Sequence, residues 1–208
     1  MYSIIQAAGW PIWPLILCSI VGLAIIFERF YSLHEPKVVP PRLLDEVLGV
    51  VRNGVPSQDV LHQLENNSAM GEVLATGLRT VAQNPRCSED DIREAMEARG
   101  RLVAHKLEKY LAALGTIASA APLMGLFGTV VGMIEIFGSQ STGGTGNPAQ
   151  LAHGISIALY NTAFGLLVAI PSLIFWRYFR GRVDAQLLAL ETGAGTLVRH
   201  LAVLRKGS

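Results

Sequence analysis

Three stretches of this chain run without a charged residue, 10–27, 111–134 and 154–176, of 18, 24 and 23 residues. A helix needs about 20 apolar residues to cross a bilayer core of ~30 Å at 1.5 Å per residue. Three such runs exceed what a soluble domain of 208 residues uses, and half the chain is hydrophobic, with a mean hydropathy of +0.38. The first run is the shortest; Pro11 and Pro14 fall near its start, where a missing N–H costs little. Trp10 and Trp13 mark one of its interfaces, Phe30 and Tyr31 the other. The expected fold is an all-α integral membrane protein: three transmembrane helices, long cytoplasmic helical extensions and a small cytoplasmic helical bundle.

Charge sets the orientation. Of the 17 Lys and Arg residues, 11 lie within 28–110 and six after Trp176, which leaves none in 1–9 or 138–153. The positive-inside rule then places 28–110 and 177–208 in the cytoplasm. It places 1–9 and the 138–153 loop in the periplasm. The expected organisation is a periplasmic N-terminus (1–9), spans at 10–27, 111–137 and 154–176, a cytoplasmic helical domain (28–110), a periplasmic loop (138–153) and a cytoplasmic C-terminal helix (177–208). The first run is expected to stay in the protein, because 1–9 carries no positive charge, no A-x-A site follows, and Leu17 precedes Cys18.

The polar segment reads as helices set off by breakers. One covers 42–53, after Pro40–Pro41, with Leu44, Val47, Leu48 and Val51 on one face. Ser57 is placed to cap a second, reaching about Asn66. Met70, Val73, Leu74, Leu78 and Val81 form a third apolar stripe, closed by Asn84–Pro85. Ser88 then caps a helix whose first turn holds Glu89, Asp90 and Asp91, where acids suit the helix dipole. No breaker follows until Pro122, so one helix is expected over 89–137, 49 residues or roughly 73 Å. Another starts at Asn147–Pro148 and is expected to run to about Leu204, with Gly193 and Gly195 weakening its last turns.

Enzyme signatures fail. The five histidines show no metal spacing, and there is no P-loop and no G-x-S-x-G, so no catalytic residue, metal or cofactor is expected. Cys18 and Cys87 lie in unrelated settings and read as small apolar side chains. A net charge of +1 argues against nucleic acid as a partner.

What remains lies inside the spans. In the second, Ala118, Pro122, Gly125, Thr129 and Gly132 form a stripe of small side chains at helical spacing, and Gly128 with Gly132 makes a GxxxG. In the third, Ala158, Thr162, Gly165, Ala169 and Ser172 form another, with Ser156, Tyr160 and Asn161 near its outer end. Gly125, Gly128, Gly132 and Gly165 are thus candidates for close helix packing. Thr129 lies eight residues inside Phe137, and Thr162 eight inside Gly154. In antiparallel helices both hydroxyls then sit about 12 Å below the outer boundary. One reading is packing alone, each Thr bonding its own backbone. The other is a shared polar lining of Thr129, Thr162, Asn161 and Tyr160. Glu135, the one carboxylate within the spans, is an ionisable candidate near the outer end.

APLMGLFGTVVGM in span two and GISIALYNTAFGLLVAIPSLIFW in span three, with Glu28–Arg29 after span one, resemble the MotA/TolQ/ExbB proton channel family, on the ExbB/TolQ side. The resemblance covers the whole chain in span order, loop sizes and orientation. It implies a pentamer in the inner membrane of a Gram-negative bacterium, around a dimer of an ExbD/TolR-like single-span protein carrying an Asp. Proton flow would then drive a TonB- or TolA-like protein. By motif, Thr129 and Thr162 are the threonines that line the cavity beside that Asp. The chain departs at Ile157, where the family commonly has Glu five residues before the threonine.

The residues agree with a divided site. Mid-depth offers hydroxyls and amides but nothing that titrates, so a conducting site needs an acid from another chain. A charge crossing 100 mV releases about 2.3 kcal/mol, and an unpaired mid-membrane carboxylate costs about 2.5–3.5 kcal/mol on insertion scales, so the two are matched in size. The competing expectation is a structural scaffold or passive transporter subunit in which the stripes only pack.

Overall fold

The computed structural model describes the backbone of residues 9–52, 54, 56–141 and 148–206, with all their side chains except those of 139–141, 148–151, 153, 157 and 206. Residues 1–8 of the expected N-terminal segment, the middle of the 138–153 loop and the Asn147 cap lie outside the described residues. Among the described residues the elements are all helices: α1 (Ile12–Ser32), α2 (Glu35–Val38), α3 (Leu43–Val51), α4 (Gln58–Asn67), α5 (Ala69–Gln83), α6 (Glu89–Glu108), α7 (Leu111–Ser141) and α8 (Pro148–Lys206). Three stretches, Ile12–Ser32, Glu89–Gly138 and Gly154–Arg205, are long and apolar enough to cross a membrane.

The helix expected over 89–137 is interrupted. α6 closes with Lys109 N–H on the Lys106 carbonyl at 3.4 Å, and Tyr110 takes a left-handed backbone at φ 67° before α7 begins. A left-handed non-glycine costs roughly 1–2 kcal/mol. The Arg29 guanidinium sits 5.5 Å from the Tyr110 ring centroid, a contact that offsets part of that cost. Arg29 is itself 2% exposed, and Glu28 grips its guanidinium at 2.5 and 2.6 Å, as a buried cation requires. No Gly or Pro announces this break. α8, by contrast, runs through Gly193 and Gly195 without one.

The chain divides into two compact units, 1–29 with 110–178 and 30–109 with 179–208. In the first, the transmembrane unit, Leu15 of α1 packs with Ala121 of α7 and Ala169 of α8, backed by Met124, Phe164 and Val168. The helices meet through small side chains: a Cβ on Gly22 would touch Ser172 Oγ at 3.4 Å. Large apolar side chains such as Leu123, Leu126, Leu167 and Ile170 face outward, as a lipid-facing surface demands.

The second, polar unit follows the opposite rule. Leu61, Leu74, Leu78, Ile92, Met96 and Val103 are fully buried, each contributing about 1.5–3 kcal/mol. Glu65 accepts from Arg79 at 2.6 Å and Arg99 at 3.1 Å, while Glu72 pairs with Arg99 and Lys106, both at 2.9 Å. The hydrogen bond from Arg79 holds the Glu65 carboxyl below its ordinary value, helped by the charges of Arg79 and Arg99 and opposed by burial. Ser88 caps α6 in a capping box: its Oγ accepts from Asp91 N–H at 3.0 Å, and its own N–H donates to Asp91 Oδ2 at 2.7 Å. Those bonds, the Ser88 backbone donor foremost, lower the Asp91 carboxyl as well. Ser57 stands at the N-cap of α4, but its side chain makes no cap bond. Ser68 does that work for α5, accepting from Gly71 N–H at 3.0 Å.

Candidate functional site

The two small-residue stripes face each other. A Cβ on Gly132 would lie 3.2 Å from Ala158 Cβ, one on Gly128 2.9 Å from Asn161 Cβ, and one on Gly125 2.7 Å from the Asn161 carbonyl oxygen. One on Gly165 would lie 2.6 Å from the Ala121 carbonyl oxygen. α7 and α8 therefore cross antiparallel with backbones almost touching, and only hydrogen side chains permit it.

That approach brings two hydroxyls together. Thr129 Oγ1 and Thr162 Oγ1 are 2.5 Å apart. Each also reaches a carbonyl: Thr129 donates to Gly125 O at 3.1 Å or Ala158 O at 3.3 Å, and Thr162 to Gly125 O at 3.3 Å. Each hydroxyl holds one proton and two lone pairs. One proton fills the bond between the hydroxyls and the other goes to a carbonyl, leaving lone pairs free to accept. Both threonines are half-buried, so the pair opens toward the edge of the chain.

The other candidates separate. Asn161, 1% exposed, packs its amide on Gly128 beside the pair. Tyr160 is 41% exposed and two residues from Thr162, about 200° around the helix, so it does not share the pair's face. Glu135 is exposed, six residues and about 9 Å along α7 from Thr129, and no hydrogen bond or ion pair joins it to the threonines. The backbone of position 157 lies in α8, and its side chain is outside the described residues. The carbonyls of Gly125 and Ala158 belong to the cluster and were not singled out in the sequence. The signal for both was the four-residue spacing to Thr129 and Thr162. Chemically, the arrangement can accept hydrogen bonds and pass one along, but holds no group that gains or loses a proton near neutral pH.

The sequence profile described as the MotA/TolQ/ExbB proton channel family matches residues 65–192, a stretch that holds both threonines. This chain belongs to that family. Among its relatives, biopolymer transport protein exbB1 of Vibrio cholerae is 29% identical over 186 residues, covering 89% of this chain and 77% of that protein. The Tol-Pal system protein TolQ of Pseudomonas aeruginosa is 30% identical over 200 residues, covering 88% and 84%. The structure titled C. jejuni MotAB matches with a TM-score of 0.62 at 18% identity, over 94% of this chain and 75% of that one, and shares the fold. As a MotA/TolQ/ExbB family member, the chain is a proton-channel-type membrane subunit of the ExbB/TolQ kind.

Proposed function

We propose that the chain is the stator subunit of an inner-membrane proton channel and that Thr129 and Thr162 form the chain's part of the proton path. The carrying observation is the 2.5 Å hydroxyl pair, half-open at the chain's edge, on helices with no group at that level that gains or loses a proton near neutral pH. An acid must come from outside, and the family points to the Asp of an ExbD/TolR-like single-span partner. The pair's lone pairs accept the proton of that Asp when it is neutral, and its hydroxyl protons turn toward the carboxylate when it is charged. In this reading the chain forms a homo-oligomer, a pentamer in the family pattern, around the partner, and works on a TonB- or TolA-like protein. Residues 28–110 and 177–208, which hold all the Lys and Arg, face the cytoplasm; 1–9 and 138–153 face the periplasm. The chain performs no bond-making chemistry of its own.

The test is the double variant Thr129→Ala, Thr162→Val. Energy-dependent outer-membrane function should be lost while the variant still inserts and assembles. Full activity would favour the scaffold reading, in which the stripes only pack.

A further inference from the structure

In the polar unit, α6 and the 187–199 stretch of α8 flank a cavity of about 710 Å³, with Val73 of α5 also in its lining. Its wall includes Val73, Met96, Leu190 and Val198, all buried apolar side chains. Among the other lining residues, Arg93, Glu97 and Arg101 stand on one side, Glu191 and Arg199 on the other. Arg79, Arg99, Arg180 and Arg182 of the same unit each hold a carboxylate, while Arg42, Arg52 and Arg86, outside the groove, make no ion pair with any described residue. Arg93, Arg101 and Arg199 make no ion pair with any described residue; Arg199 reaches only Thr196 Oγ1, at 3.4 Å. Glu97 stands four residues from both Arg93 and Arg101, a spacing that favours pairing along a helix, yet it pairs with neither. Gly100 and Gly195, one on each side, would each turn a Cβ into open space.

We propose that this groove binds a short amphipathic peptide segment of another chain, with net negative charge. Its apolar side chains would fill the space beside Gly100 and Gly195 over the apolar wall. Its carboxylates would meet Arg93, Arg101 and Arg199 in bidentate pairs, the geometry that guanidinium and carboxylate share. Glu97 and Glu191 reject an uninterrupted acidic run and favour N–H donors opposite them, which sets register. A lipid surface fits less well, because the arginines line a walled cleft with apolar side chains behind them.

The test selects twelve-residue peptides displayed on phage against the full chain in nanodiscs. Phage that also bind the Gly100→Phe, Gly195→Phe variant are first removed; both substitutions enter open space, and circular dichroism checks that its helices remain. The surviving pool should be rich in Asp and Glu around apolar residues. A synthetic peptide from it should bind the Arg93→Gln, Arg101→Gln, Arg199→Gln variant at least about tenfold more weakly than the parent. A pool without acidic bias, no pool at all, or equal affinity for the arginine variant would each overturn the proposal. So would phosphatidylglycerol vesicles that bind through the three arginines and that acidic peptides do not displace.

Discussion

Both units hold close-packed glycines, but to different ends. Gly125, Gly128 and Gly165 of the transmembrane unit sit where a Cβ would come within 2.9 Å of a neighbouring helix. In the polar unit Gly71 and Gly77 are as tight, with an added Cβ 2.1 Å from the Leu64 carbonyl oxygen and 2.5 Å from Met96 Sδ, while Gly100, Gly181 and Gly195 meet nothing within 4 Å. The difference follows from the solvent. In lipid, burying leucine gains little, so helices gain contact by bringing backbones close, and glycine is the residue that allows it. In water, burying leucine is the main gain, and the tight glycines of the polar unit pack beside a core of Leu61, Leu74 and Leu78. Only the close approach in the first unit places two hydroxyls within bonding distance, so there packing and function share residues.

The contrast breaks most sharply under truncation. Leu74→Ala in the polar unit should cost about 2–5 kcal/mol, while Leu167→Ala on the outward face of α8 stays within about 0.5 kcal/mol. Thermal unfolding in detergent measures both; equal losses would remove the distinction. Overpacking is next. Gly125→Val should cost about 1–3 kcal/mol and pull the threonines apart, whereas Gly181→Val leaves stability nearly unchanged. In the polar unit Ser88→Ala should cost ~1 kcal/mol by loosening the start of α6, read as faster amide exchange over 89–92.

The smallest effect is electrostatic. A carboxylate whose pKa is lower in the folded state than in the unfolded one adds stability above its unfolded value. That gain fades as pH falls through the folded value. For Glu65, ordinarily at 4.5, it should be whole near neutrality and disappear below the ordinary carboxylate range. A partly exposed pair of this kind is worth about 0.2–1 kcal/mol. Glu65→Gln should remove that part of the acid sensitivity; an unchanged pH profile would mean the network adds nothing.

Much of this was legible beforehand, for physical reasons. The spans followed from uncharged length and the Ser88 cap from side-chain chemistry. The Thr129–Thr162 meeting followed from counting equal depths on antiparallel helices. The break at Lys109–Tyr110 was not legible, because no local breaker marks it and the Tyr110 ring meets Arg29 from a distant part of the chain. Gly193 misled for a similar reason: its missing side chain makes room for Met70, whose Cε would lie 2.8 Å from an added Cβ, and the helix continues. Tyr160 reads from the sequence as part of the shared polar lining with Thr162 and Asn161, yet it stands about 200° from Thr162 around α8. The unpaired arginines of the polar groove were invisible in a sequence that places Glu97 at pairing distance from two of them.

Proton flux measures the central claim most directly. The chain is reconstituted in vesicles alone and with its single-span partner, and acidification is followed under an applied voltage. No flux is expected from the chain alone, flux from the complex, and loss of that flux in Thr129→Val, Thr162→Val with the complex intact. Flux from the chain alone, or undiminished flux in the double variant, would contradict it.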